Sequence, residues 1–290
     1  MAVLYFAKIN INQEIYEVYH QERDYQKELN RIYEAIKEEA TIEEGGPDGP
    51  TGMLTFAAVN KDPEKRLITG RLVRVEPGPH TTFDRQKHDV IDTFEENKAS
   101  YITFFLDVQS ETIAFVTKRD FGFKMFLSGF TALLSESSGT RYEIFLISDK
   151  REFRQKVDEL KSVQSITILA VPPNNDRAQF EELFAMSTED ARAMGLGKLK
   201  QELQPGTKSG LHLTERLWKA IEYAITGGGK TDARGISSTD KSITVSSEED
   251  TPYKKSIPDR DKDSQEAIRL HGEEELNTII SMQAWRNRKD

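Results

Sequence analysis

The densest patterning lies in residues 101–148, YITFFLDVQSETIAFVTKRDFGFKMFLSGFTALLSESSGTRYEIFLIS. Aromatic and β-branched runs at 101–107 and 112–117, separated by the polar turn Val108-Gln109-Ser110-Glu111, predict a β-hairpin. After Lys118-Arg119-Asp120 the period lengthens to near 3.6. Phe123, Phe126, Leu127, Phe130 and Leu134 then share one helical face, with Asp120 placed to cap the helix and Gly139 to end it. Residues 142–147 (YEIFLI) predict a further strand, so the stretch reads as a strand–strand–helix–strand core.

The flanking pattern extends this unit. Residues 3–11 predict a central strand. Asn12 is placed to cap a long amphipathic helix reaching about residue 40, with Ile15, Tyr19, Leu29, Ile32, Tyr33 and Ile36 as its apolar stripe. Residues 43–52 (EEGGPDGPTG) predict a flexible connection. Residues 53–60 and 67–75 predict paired strands joined at Lys61-Asp62-Pro63-Glu64. A helix is expected over 84–97, with Val90, Ile91 and Phe94 turned inward. Asp149 is placed to cap a helix to about residue 161, and 163–171 predict a strand stopped by Pro172-Pro173.

Beyond Pro173 the pattern thins. Residues 176–203 read as helical, 204–210 as a linker and 211–225 as an amphipathic helix ending at Gly227-Gly228-Gly229. A hairpin turning around 237–241 and a final helix from about 261, carrying Ile268, Leu276, Ile279 and Ile280, complete the chain. The expected class is α+β: a mixed, mainly antiparallel sheet with flanking helices, plus a smaller helix–hairpin–helix C-terminal part. The expected division is a core domain at 1–172 and a C-terminal region at 173–290, a candidate for dimerisation.

Composition narrows the chemistry. Cysteine is absent from the 290 residues, which excludes disulfides, thiolate metal sites and cysteine nucleophiles. No apolar run approaches a membrane span, and the N-terminus has no basic region followed by a cleavage site, so a cytosolic protein is expected. The net charge of −9 sits at the ends: residues 1–50 hold 5 basic and 11 acidic side chains, and 246–290 hold 8 and 11. The body between is neutral, and its local clusters govern any phosphate contact.

Three motifs bear on catalysis. Residues 224–231 (AITGGGKT) fit a relaxed phosphate loop with Ala224 in place of the first glycine. A helix precedes them, however, and none is predicted after, which removes the helix N-terminus that cradles phosphate. His80, Asp84 and His88 stand at four-residue steps, but Pro79 and Thr81-Thr82 put His80 ahead of the predicted helix. Glu96-Asn97-Lys98, the nearest match to a nuclease motif, falls at a predicted helix end, and Asp107 and Glu111 flank a hairpin turn. No catalytic residue, metal ligand or cofactor is expected. Basic residues recur at strand ends and loops: Lys65 and Arg66; Arg71 and Arg74; Lys118, Arg119 and Lys124; Lys230, Arg234 and Lys241. If the first three groups flank one side of the sheet, they would form a stripe that contacts phosphates without reading sequence.

The order at 101–148 (aromatic strand, acidic tight turn, the strand TIAF, a short loop, then an apolar helix ending in Gly and Ser) resembles the RexA family of lambdoid prophages, which acts in phage exclusion. Residues 211–290 keep that family's helix, polar hairpin, Ser-Pro-like loop (SIP at 256–258) and charged terminal helix. The resemblance implies a cytosolic homodimer that binds double-stranded DNA with little sequence preference. Such a protein senses infection and signals to a separate membrane effector, without inserting into the membrane itself. DNA binding would fall to the ten basic residues named above. The alternative is a protein-interaction module of a defence system that does not bind DNA, and a nuclease or NTPase is the third reading. Whether the basic groups share a face separates the first two.

Overall fold

Strand β1 (Ala2–Ile11) lies at the centre of the fold and is nearly buried along its length. The structure is a computed structural model and describes residues 1–12, 14–46, 49–174, 176–207 and 209–283. After β1 come the short helices α1 (Ile15–Tyr19) and α2 (Tyr25–Ala35). Five strands meander next: β2 (Thr41–Gly46), β3 (Gly49–Asp62), β4 (Leu67–Asp84), β5 (Asp89–Asp107) and β6 (Thr112–Val116). Helix α3 (Phe123–Ser138), strand β7 (Tyr142–Leu146), helix α4 (Lys150–Asp158) and strand β8 (Ser162–Ala170) follow. Then come α5 (Arg177–Phe184), α6 (Thr188–Ala193), β9 (Leu199–Leu203) and α7 (Glu215–Tyr223), which runs into a π-type turn at Ala224–Gly228. The remainder is β10 (Gly229–Ile236), β11 (Ser242–Ser246), the single-turn α8 (Ser247–Asp250), β12 (Lys254–Ile257) and α9 (Gln265–Gln283).

The expected α+β class, with a mainly antiparallel sheet and flanking helices, is what the structure has. The larger sheet runs β12-β1-β6-β5-β4-β3-β2, with β7 also on β1, and the smaller runs β11-β10-β8-β9. β8, before the expected boundary at 172, pairs with β9 and β10 from beyond it. In return β12 joins β1 in the larger sheet, and α9 lies over β4, β5 and β6. The two expected regions therefore interlock. Helix α3 covers the other face through a phenylalanine stack: Phe126 lies 4.0 Å from Phe115, and Phe130 lies 5.1 Å from both Phe56 and Phe104. Ring pairs of this kind add about 0.5–1.5 kcal/mol each beyond the area they bury.

Several expected elements take another form. The long helix over 12–40 is two helices. Gln21 turns with φ 59°, and Asp24 restarts the helix by accepting the Gln26 amide. Asn12 caps nothing: Glu14 holds the N-cap position of α1, without a side-chain bond. Asp120 is likewise displaced as a cap by Gly122, because residues 118–121 close a tight bridge between Lys118 and Phe121. Gly139 does end α3, in the left-handed conformation. Residues 43–46 and 49–52 pair in β2 and β3 where a loose connection was expected, and residues 47–48 lie outside the described residues. Residues 199–203 form strand β9 within the stretch expected to be helical. The terminal WRNRKD at 285–290 also lies outside the described residues.

The largest departure is at 84–97, where β4 and β5 form one long hairpin and no helix exists. Asp84 accepts the amides of Gln86 and Lys87, and His88 adopts φ 48°, which closes a four-residue turn. Val90, Ile91 and Phe94 have a spacing that imitates a helical stripe. The β-branched Thr81, Thr82, Val90, Ile91 and Thr93 suit strands better, and the ladder decides.

Burial pushes the hydroxyls of Tyr16 and Tyr142 up to about 12, from an ordinary value of 10.0. Below that ordinary value these groups are neutral whether the chain is folded or not. Above it the unfolded chain ionises first, so their contribution to stability is lost as pH climbs from 10.0 through about 12. In an alkaline titration, tyrosinate absorbance from these groups is expected to appear together with loss of circular dichroism. Ionisation well before that loss would contradict it.

Candidate interaction surface

The ten basic residues do not form one stripe. Arg71 and Arg74 lie three positions apart on a regular stretch of β4, which puts them on opposite faces of the sheet. Arg71 stacks over the Tyr101 ring at 4.7 Å, and Lys118 lies over the same ring at 3.3 Å, so the structure brings these two together. Lys118 also pairs with Asp263 at 2.7 Å, and that hydrogen bond holds the Asp263 carboxyl below its usual range. Arg74 is held between Glu44 at 2.7 Å and Glu76 at 2.9 Å, and the bond to Glu44 raises its pKa. Lys124 pairs with Glu249, which raises it likewise, and Lys230 pairs with Glu248 at 3.2 Å. Arg66 donates to Asn30 on α2. Lys65, Arg119, Arg234 and Lys241 are exposed, but the first two lie on loops of the larger sheet and the others on the smaller one.

The other candidates are similarly dispersed. His80 sits on β4 opposite Thr93, while Asp84 and His88 flank the turn of the long hairpin. Among the described residues no three His, Asp or Glu side chains are placed to hold a metal ion. The 224–231 motif joins a helix to strand β10, and its glycines are buried. Among the described residues no helix is long and apolar enough to cross a membrane.

What stands out instead is the distal half of the β4–β5 hairpin. Beyond Glu76 and Lys98 the strands pair only with each other, and residues 81–99 are exposed apart from the half-buried Asp84. Phe83 opposes Val90 and Pro79 opposes Phe94, and these pairs share one face of the arm, with Thr81 and Asp92 hydrogen-bonded between them at 2.6 Å. Phe83 is 59%, Val90 56% and Phe94 71% exposed. A two-stranded ribbon is marginal alone in water, and exposed aromatic and apolar pairs on either side of one polar pair mark a surface suited to being covered. Charge is graded along the arm. The tip carries Arg85 and Lys87 beside Asp84 and Asp89, whose carboxylates accept the amides of Gln86, Lys87 and Val90, so it is neutral overall. Toward the base Asp92, Glu95 and Glu96 outnumber Lys98, and that end is acidic. Sequence reading missed this surface because it assigned Val90, Ile91 and Phe94 to a buried helix face. The signal available was the run of β-branched residues on either side of Asp84.

A family model described as a domain of unknown function (DUF4747) matches residues 3–279. The chain belongs to the DUF4747 family. The match takes in both sheets, the arm and most of α9. No curated protein matches the chain.

Proposed function

We propose that this DUF4747 protein is a non-catalytic protein-interaction module that pairs with a second copy of itself through the hairpin arm. The resemblance to RexA suggests phage exclusion as its setting. The carrying observation is the exposed apolar pairs of Phe83, Val90 and Phe94 on an arm whose tip holds Arg85 and Lys87 and whose base is net acidic. Two such arms laid antiparallel about a two-fold axis cover both stripes. They also bring the Arg85–Lys87 end of each copy toward the acidic base of the other, the self-complementarity an isologous interface requires.

Sedimentation equilibrium of the full chain is the direct test. The native protein is expected to be a dimer, and Phe83→Asp with Phe94→Asp is expected to weaken dimerisation at least about 30-fold, as for loss of a central hot spot. The melting temperature should stay close to native at low concentration, since neither ring enters the core. A native chain that stays monomeric at tens of micromolar, or a double variant that still dimerises, would overturn the proposal.

Nucleic-acid binding is the second reading. It rests on Lys65, Arg119, Arg234 and Lys241, whose side chains are exposed. Affinity for a random-sequence duplex is expected to be negligible across a salt series. A steep fall in affinity with rising salt, reduced by Lys65→Glu with Arg119→Glu, would instead favour the sensor reading.

A further inference from the structure

The turn between β5 and β6 carries Glu111 in the left-handed conformation, φ 57°, with its side chain 3% exposed. Its carboxylate accepts from Tyr25 Oη at 2.6 Å and Asn174 Nδ2 at 2.6 Å, and pairs with Lys8 Nζ at 3.1 Å. Asn174 also clamps β1: its Oδ1 accepts the Ile11 amide and its Nδ2 donates to the Ile9 carbonyl, both at 2.9 Å. Burial, with Glu111 beside it, raises the Tyr25 hydroxyl far above its ordinary value, so Tyr25 stays a neutral donor. The floor of this region is thus rigid and internally bonded.

Beside it opens a cleft of about 180 Å³ walled by Lys8, Asn10, Asp176, Gln179, Tyr223 and Thr226. The glycines of the 224–231 motif pack against Lys8, Asn10 and Tyr223 in this wall. Gly227, with φ 111°, lies where a Cβ would come within 2.6 Å of Lys8 Cβ, and a Cβ on Gly228 would stand 2.2 Å from the Tyr223 ring. The Gly227 carbonyl accepts Asn10 Nδ2 at 2.8 Å, and that amide nitrogen also reaches the carbonyls of Lys8 and Glu143. Asn10 is therefore held in one orientation, and its Oδ1 has no partner although the residue is only 1% exposed. A buried acceptor without a partner is destabilising, and a bound donor would relieve it.

Lys8 and Asn10 alternate onto the same face of β1, roughly 6.6 Å apart along the strand. One offers an ammonium donor and the other an unfilled acceptor. With Lys8 answered by Glu111, and Asp176 on the rim, the cleft carries a net negative charge, which disfavours anions. The cleft has room for several waters or one small ring.

We infer that this cleft binds a small neutral molecule bearing an acceptor beside an N–H donor, the pattern on one edge of a nucleobase or on a primary carboxamide. Lys8 would meet the acceptor and Asn10 Oδ1 the donor. The 224–231 motif then serves a ligand site without being a phosphate loop. This inference is independent of the arm.

The test uses the full chain, calorimetry and thermal shift, with adenine, guanine, cytosine, nicotinamide, glutamine and AMP as probes. At least one base or carboxamide is expected to bind and raise the melting temperature, and AMP more weakly than adenine. Binding confined to bases or to carboxamides identifies the source. Lys8→Gln and, on the facing wall, Gln179→Leu are each expected to lower affinity at least tenfold, while Phe83→Asp leaves it unchanged. Gln179→Leu avoids the Glu111 network, so it reads the site even where Lys8→Gln destabilises the fold. Failure of every probe to bind at millimolar concentration would overturn the inference. So would tighter binding of AMP than adenine, or affinity unchanged in both wall variants.

Discussion

Replacing Glu111 with alanine is expected to lower the unfolding free energy by about 3–5 kcal/mol, as when one member of a buried ion pair is removed. Three groups lose their partner at once: the Lys8 ammonium, the Tyr25 hydroxyl and one Asn174 amide bond. Asn174 in turn supports the edge of β1 at Ile9 and Ile11, so the loss reaches the central strand. The left-handed backbone at this position gives a second handle. Glu111→Gly removes the same contacts but releases the conformational cost of a side chain there, roughly 1–2 kcal/mol, so it should be less damaging than alanine. Urea unfolding of the two variants and the native chain, compared at equal m-value, measures both effects. A Glu111→Ala midpoint within error of native would show that the network contributes nothing net.

Gly229→Ala is expected to be comparably severe for a purely steric reason. A Cβ there would stand 1.9 Å from the Leu169 carbonyl oxygen and 2.9 Å from Ala170 Cα, which are backbone atoms of the paired strand β8. No rotamer change relieves such a clash, so β10 must draw away from β8 and the smaller sheet loses its central ladder. Overpacking of this kind costs about 1–3 kcal/mol or more, and a backbone-to-backbone contact belongs at the upper end. Gly206→Ala is the control, since a Cβ on this exposed loop residue meets nothing within 4 Å. Thermal unfolding should show a large drop for Gly229→Ala and little change for Gly206→Ala. Equal melting temperatures would sink the steric argument.

Much of the fold was legible from local pattern. The strands around 3–11, 112–117, 142–147 and 163–171, and the inner end of β5 at 101–107, fall where alternation or apolar runs placed them, because each matches one period. Asp149 caps α4 through the Arg151 and Glu152 amides as its position suggested. Failures came where two periods competed. Val90, Ile91 and Phe94 satisfy a helical stripe, and only the partner strand, contributing Phe83 and Pro79, shows them to be a ribbon. The break at 20–24 was hidden for the opposite reason, since the apolar stripe resumes in register on α2 after the chain has turned.

The candidate sites divide along the same line. The ten basic residues were readable as residues, but whether they share a face depends on strand parity and on acidic partners distant in sequence. Glu249 answers Lys124 from 125 positions away, and Asp263 answers Lys118 across the fold. The cleft is more extreme, for Lys8, Glu111, Asn174 and Gly227 come from four separate elements. By itself the sequence determined the α+β class, the aromatic core and the absence of thiol chemistry, because periodicity, burial preference and composition are local properties. Only the tertiary structure decided which apolar side chains stay in water, which charges cancel and which polar groups converge. Those outcomes depend on register and packing between segments far apart in the chain, where local pattern carries no information.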